Sequence, residues 1–242
     1  MKILKRVLSF LERTLFNPKW KCLCCGRENF NDDYICEECR KTLPVIEGSF
    51  CGHCGRKTVA SEAYCTTCKN TLVSLDKGRS LYEYKPPVST LIRKLKYNGR
   101  KYVADFFAKE LSSVYLRNFT DADFITFVPS TAKSRKARGY NQSELLARNL
   151  AEIVGTEVKE VCVKIKETPR QAKLTRAQRL TNLTDAFKVT DRRSVIGKTI
   201  LIIDDVTTTG STVEAIASKL KRAGAERVCL LTVASVSPKN GY

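Results

Sequence analysis

From Ser80 to Ser235 the chain alternates short, mostly apolar runs with longer stretches in which apolar residues recur every three or four positions. The runs SLYEY (80–84), FITFVP (124–129), EVCVKI (160–165), TILIID (199–204) and RVCLLTVAS (227–235) read as strands. The periodic stretches at about 88–97, 102–117, 140–154 and 211–223 read as helices, the last closing at Gly224, a fitting C′ residue. Apolar strands alternating with amphipathic helices predict an α/β fold with a parallel sheet covered on both faces. Segment 166–187 is polar and basic and fits no strand, so it reads as a long functional loop.

The first 21 residues follow a different pattern. Ile3, Leu4, Val7, Leu8, Leu11 and Leu15 fall at helical spacing among Lys5, Arg6, Glu12 and Arg13. This interruption, with no small-residue cleavage site, separates the stretch from a signal peptide. It reads as a basic amphipathic helix that either packs on the next module or docks to a membrane surface or partner. No run reaches the ~18 consecutive apolar residues of a membrane span.

Between these regions lies a repeat with a period of 29. CLCCGRENFNDDYICEECRKTL (22–43) aligns without a gap to CGHCGRKTVASEAYCTTCKNTL (51–72). Each copy reads CxxCG-x9-CxxC, offering Cys22, Cys25, Cys36 and Cys39 in one and Cys51, Cys54, Cys65 and Cys68 in the other. Four thiolates on paired tight turns suit tetrahedral Zn²⁺. Two structural zinc ions are expected, one per repeat, with an interleaved cross-brace as the competing arrangement. Clustered CxxC pairs point to metal in a reducing compartment rather than to disulfides. Cys24 falls outside the pattern, His53 reads as an exposed turn residue, and Cys162 and Cys229 read as buried thiols. Three parts follow: the helix at 1–21, the zinc module at 22–76 and the α/β domain at 77–242.

The net charge of +18 belongs mainly to the last part. Residues 22–76 carry 6 Lys/Arg against 8 Asp/Glu, while residues 77–242 carry 31 against 16. Such a surplus favours polyanionic partners: phosphorylated metabolites, nucleic acid or anionic lipid. RKLKYNGRK (93–101) concentrates it, with Tyr97 among Arg93, Lys94, Lys96, Arg100 and Lys101. A basic strip with an aromatic platform suits single-stranded nucleic acid, and equally a solvated helix face.

The candidate chemistry sits in LIIDDVTTTGST (201–212). An apolar strand ends in Asp204 and Asp205, a loop of Thr and Gly follows, and a helix begins near Ser211 and Thr212. In open parallel sheets ligands sit at the carboxyl ends of strands. Hydroxyls, backbone N–H groups and a helix N-terminus suit a phosphate monoester. Adjacent carboxylates can accept hydrogen bonds from two vicinal sugar hydroxyls. One arrangement thus suits both ends of a 5-phosphoribosyl group.

This string resembles the phosphoribosyl-diphosphate (PRPP) signature of type I phosphoribosyltransferases. With the paired CxxC module, LYEYKPPVSTLIRKLKYNGRK (81–101), VPSTAKSRKARGYNQSELLARNLA (128–151) and TPRQAKLTRAQRLTNLTDAF (168–187), nearly the whole chain resembles the ComF family of competence-associated proteins. The resemblance implies a type I phosphoribosyltransferase-like twisted parallel sheet after a Cys-rich zinc module. It assigns Asp204 and Asp205 to the ribose hydroxyls and to catalysis, and Thr207, Thr208, Thr209, Gly210, Ser211 and Thr212 to the 5-phosphate. Ser130, Thr131, Ala132 and Lys133 occupy the pyrophosphate loop, where Lys133, Arg135 and Arg138 supply cations. Mg²⁺ would accompany PRPP, and Arg176 and Arg179 would close over the site and add to the DNA contacts. A Mg²⁺-dependent pentosyl transfer to an unknown acceptor is one implied function. The other is handling of incoming single-stranded DNA in the cytoplasm, at the DNA-uptake machinery on the inner face of the membrane. A PRPP sensor without turnover is the third.

Overall fold

The computed structural model describes residues 19–31, 33–59, 62–69, 74–97, 99–166 and 185–237. The helix expected at 1–21 lies mostly outside them, as does most of segment 166–187, including Arg176 and Arg179. Contacts divide the chain into Met1–Leu43 and Pro44–Tyr242, so the boundary falls between the two cysteine repeats.

In the first unit the turn after Cys22 closes through Cys22 N–H donating to the Arg27 carbonyl and Gly26 N–H to that of Cys22, both at 2.9 Å. Gly26 takes φ 75°, where a side chain is strained. Lys21 and Glu28 form an antiparallel bridge across this knuckle. Helix α1 (Glu37–Lys41) starts directly after Cys36 and carries Cys39. Its acidic first turn and basic last turn suit the helix dipole.

The second unit opens on the same knuckle. Cys51 N–H donates to the Arg56 carbonyl at 2.7 Å and Gly55 N–H to that of Cys51 at 2.8 Å. Helix α2 (Thr66–Lys69) carries Cys68. Then come β1 (Lys77–Glu83), α3 (Val88–Tyr97), α4 (Tyr102–Asn118), β2 (Phe124–Phe127), α5 (Ala132–Arg138) and α6 (Gln142–Val154). The chain continues through β3 (Cys162–Lys164), β4 (Phe187–Val189), β5 (Thr199–Thr207), α7 (Ser211–Arg222) and β6 (Arg227–Ser235).

Four strands form a parallel sheet in the order β1-β6-β5-β2. The central β5 and β6 are buried along nearly their whole length, which explains their apolar runs Ile200–Ile203 and Val228–Leu231. Ile200, Ile202, Val228 and Leu230 pack with Val213, Ile216, Ala217 and Leu220 of α7. Leu201, Ile203 and Leu231 alternate to the other face, where α4 packs on β6 and α6 on β5 and β2. Each such buried Leu or Ile stabilises the fold by about 1.5–3 kcal/mol.

EVCVKI behaves differently from the other apolar runs. Cys162–Lys164 pairs antiparallel with Phe187–Val189 in a separate two-stranded sheet. The preceding chain meets the main sheet at a parallel bridge between Ile125 and Val158. Cys162 and Phe187 instead cover the core cluster under α7. Among the described residues no helix is long and apolar enough to cross a membrane.

Candidate functional site

The apolar register of β5 delivers Asp204 and Asp205 to its carboxyl end, beside Thr232 and Ala234 of β6. Pairing with β6 continues through Thr207↔Ser235, three residues beyond the expected strand end. The turn therefore shrinks to Thr208, Thr209 and Gly210, and Gly210 enters α7 at φ 79°. Thr209 and Ser211 hydroxyls lie 2.9 Å apart at the mouth of that helix. Among the described residues the Thr207 hydroxyl is buried without a partner.

Both carboxylates are buried. Asp204 accepts from the Ser143 hydroxyl at 2.8 Å and from the Asp205 backbone N–H at 2.9 Å. Burial, and then the neighbouring Asp205 charge, push its carboxyl up to about 8, against the lowering influence of Ser143. Asp205 Oδ2 lies 2.5 Å from Lys96 Nζ. Burial works against the Lys96 charge, but Asp205 and then Asp204 outweigh it and hold its ammonium above the usual range. Lys96 reads in the sequence as part of the basic strip; folded, it turns into the carboxylate pair.

Sequence expectation overlooked Ser143, although its motif RGYNQSE is conspicuous. Successive residues of that motif prepare its place. Gly139 ends α5 at φ 78°, the Tyr140 hydroxyl donates to the Leu95 carbonyl, and Asn141 caps α6 by accepting from Ser143 N–H. The cap fixes the first turn of α6, so that Ser143 meets Asp204.

Beyond β2, the Ser130 hydroxyl is buried without a partner among the described residues. Thr131 caps α5 by accepting from Ser134 N–H at 3.1 Å. Thus a helix starts at Ala132, inside the expected pyrophosphate loop. Lys133, Ser134, Ala137 and Arg138 of this stretch face Lys96, Tyr97, Gly99 and Tyr140 across a cleft of about 460 Å³. Because Lys96 both lines the cleft and pairs with Asp205, the cleft opens beside the carboxylates. The Arg138 guanidinium lies 5.4 Å from the Tyr97 ring centroid and Lys101 Nζ 5.3 Å from that of Tyr140. Arg135 lies 3.5 Å from both Glu144 and Glu160. A larger cavity of about 520 Å³ lies at the far end of α7, lined by Lys219 and Arg222, away from the aspartates.

Of the basic strip, Arg93, Tyr97, Arg100 and Lys101 are exposed and Lys94 is half-buried. Tyr97 presents 69% of its surface.

The cysteines separate by repeat. Cys22, Cys25, Cys36 and Cys39 gather their sulfurs within 4.8 Å of one another, and so do Cys51, Cys54, Cys65 and Cys68. Zinc–sulfur bonds of about 2.3 Å in a tetrahedron require sulfurs about 3.8 Å apart. Cys25 and Cys36 stand at 3.9 Å, Cys54 and Cys65 at 3.7 Å. The donor set fits one zinc ion per repeat, and the cross-brace is excluded. Cys24 stays outside the first set, and Cys162 and Cys229 are buried thiols. His53 corrects the expectation of an exposed turn residue. Its Nδ1 lies 2.7 Å from the Leu75 carbonyl oxygen and its ring stacks on Tyr64, centroids 4.5 Å apart.

Comparison with known proteins agrees with this architecture. Residues 11–69 match the double zinc ribbon domain and residues 140–240 the phosphoribosyl transferase domain. The DNA utilization protein YhgH of Escherichia coli K12 is 32% identical over 214 residues, covering 86% of each chain. Competence protein F of Haemophilus influenzae is 26% identical over 217 residues, covering 86% of this chain and 94% of its own. Competence protein ComFC of Bacillus subtilis is 27% identical over 199 residues, covering 80% of each. Among solved structures, the glutamine PRPP amidotransferase of B. subtilis is 21% identical, with a TM-score of 0.39 over 58% of this chain and 30% of that one. The chain belongs to the ComF family of competence-associated proteins, in which a double zinc ribbon precedes a phosphoribosyltransferase domain.

Proposed function

We propose that the cleft at the carboxyl end of β5 binds PRPP and that the protein uses it while handling single-stranded DNA during uptake. The observation that carries this reading is the adjacency of three features. Two buried carboxylates and a Thr-Thr-Gly turn leading into a helix N-terminus share the carboxyl end of β5, and Lys96, paired with Asp205, connects them to a cation-lined cleft.

In this reading Asp204 and Asp205 accept the ribose 2′- and 3′-hydroxyls. The backbone and hydroxyls of Thr207, Thr208, Thr209, Gly210, Ser211 and Thr212 hold the 5-phosphate. Ser130, Thr131 and Lys133, with Arg138 farther along the same helix and Arg135 behind, serve the pyrophosphate. Lys96 must leave Asp205, or share it, when the sugar arrives. Two carboxylates beside a diphosphate fit Mg²⁺, which would neutralise phosphate charge when bound. The residues' own part is electrostatic: they orient the sugar and stabilise positive charge developing at its C1 as pyrophosphate departs.

The DNA part draws on the names of the relatives, a DNA utilization protein and two competence proteins. It also draws on the strip of exposed Arg93, Tyr97, Arg100 and Lys101 with half-buried Lys94. An exposed aromatic ring among cations suits strand-generic stacking and phosphate tracking. Action on the cytoplasmic side of the membrane, at the uptake machinery, belongs to the same reading.

Pyrophosphate release from PRPP and Mg²⁺, followed with and without single-stranded DNA and a panel of nucleobases, tests it. Release stimulated by DNA or by one base marks a transferase. Binding without release marks a PRPP-responsive DNA handler. Absence of PRPP binding under every condition contradicts the proposal.

A further inference from the structure

The second ribbon is joined to the edge of the parallel sheet by backbone contact. Gly55 forms a parallel bridge with Arg79 of β1. Ser80 N–H donates to the Gly55 carbonyl at 3.3 Å and Gly78 N–H to that of Gly52 at 2.8 Å. A Cβ at Gly55 would collide with the Arg79 backbone, and one at Gly78 with the His53 carbonyl oxygen. Two glycines from distant parts of the chain thus let the zinc knuckle lie against β1.

This seating aims the next residue. Arg56 is 3% exposed, and its Nη2 donates to the backbone carbonyl of Thr208 in the turn between β5 and α7. In a trans peptide the carbonyl and the following N–H point in opposite directions. Holding the Thr208 carbonyl toward the ribbon therefore turns the Thr209 N–H away from it. A buried guanidinium makes a charge-assisted bond, stronger than a neutral one. The matched residue of the first repeat does something else: Arg27 Nε donates to Cys25 Sγ at 3.5 Å. The same position in two copies of one motif carries a local contact in one and a reach of 152 residues in the other.

We propose that Arg56 is a positioning residue for the Thr208–Gly210 turn, and that through it zinc loading of the second ribbon sets the order of that turn. The inference about ligand affinity rests on the PRPP reading above; the inference about the turn does not. Cys54 and the Gly55 bridge lie directly before Arg56, so a knuckle without metal loses the frame that aims the guanidinium. Linkage is reciprocal, so a phosphoribosyl ligand that fixes the turn should also slow zinc loss from the second ribbon.

The test uses the full chain with both zinc ions. Variants are Arg56→Met, which keeps the stem and removes the guanidinium, Arg56→Lys, which restores the charge, and Arg27→Met as the matched control. Hydrogen exchange over 206–213 is the primary readout, with zinc counted by native mass spectrometry. Arg56→Met is expected to retain both zinc ions, exchange faster over 206–213, and bind PRPP roughly tenfold more weakly, the size of an ordinary coupling. Arg56→Lys should recover part of both effects and Arg27→Met should show neither. Stripping zinc from the wild-type second ribbon should reproduce the faster exchange. Unchanged exchange in Arg56→Met and in the zinc-stripped protein would overturn the proposal. Wild-type protein that does not bind PRPP would sink the functional reading alone, since exchange still judges Arg56.

Discussion

The ammonium of Lys96 stands 2.5 Å from Asp205 Oδ2, joining the end of α3 to the end of β5. The carboxylate is nearly enclosed, while the lysine keeps 23% of its side-chain surface. Such a pair does two things. It neutralises a buried charge, and in the PRPP reading it occupies the oxygen that a sugar hydroxyl would need.

Removing one partner should therefore destabilise the fold more than removing both. Lys96→Met is expected to cost about 2–3 kcal/mol, below the range for a fully buried pair because Lys96 is partly hydrated. Lys96→Met with Asp205→Asn should recover most of that loss. Urea denaturation of the two single variants and the double gives the coupling directly. Additive effects would mean that the two groups do not act as a pair.

Asp204 should show itself in the pH dependence of stability. Its folded carboxyl is raised to about 8, by burial first and Asp205 second. An unfolded aspartic acid titrates near ~3.9. Between those values the native state holds a proton that the unfolded chain has released. Stability from this group is present in full below the lower value and is lost as pH rises toward the upper one. The loss approaches about 1.4 kcal/mol per pH unit. Asp204→Asn should flatten that fall between pH 5 and 8 (roughly the window set by the two values). Parallel profiles for wild type and variant would contradict a raised carboxyl.

Zinc stoichiometry separates the ribbons. Cys39→Ser should leave one zinc ion, held by Cys51, Cys54, Cys65 and Cys68; Cys68→Ser should leave the other set loaded. A shared site would lose both ions with either substitution. Chelation should melt the first knuckle without unfolding β5 and β6, because metal supplies its folding energy while the sheet has a large apolar core. Circular dichroism and a zinc indicator follow the two events.

Single-stranded DNA binding, if carried by the α3 strip, should depend on Tyr97 and on salt in different ways. Tyr97→Ala is expected to weaken oligonucleotide binding by roughly 1–3 kcal/mol with little change in salt slope. Arg100→Ala or Lys101→Ala should each reduce the slope by about 1. Fluorescence anisotropy across 50–200 mM salt distinguishes them. A flat salt response in the wild type would place DNA elsewhere or nowhere.

Much of the frame was legible before folding. The expected bounds 88–97 and 227–235 are those of α3 and β6, because both carry strong periodic or unbroken apolar signals. The CxxC repeat identified both sulfur sets, since ligand spacing is local. Helix α5 was missed because AKSRKAR has no apolar face and none of its residues is buried. Val206 and Thr207, past the aspartates, read as the start of a hydroxyl-rich turn. Only pairing with Ala234 and Ser235 makes them strand. Ser143, Lys96 and Arg56 reach the site from α6, α3 and the second ribbon. Their roles depend on tertiary neighbours that no spacing within 201–212 records.

Whether the carboxylate pair grips a sugar is the central claim, and calorimetry of PRPP with Mg²⁺ measures it most directly. Wild-type protein is expected to bind one equivalent. Asp204→Asn combined with Asp205→Asn, with both zinc ions retained and the fold intact, should weaken that binding by several kcal/mol, as loss of two carboxyl acceptors, Asp205 among them paired to Lys96, requires. Equal affinity in wild type and double variant would contradict the account.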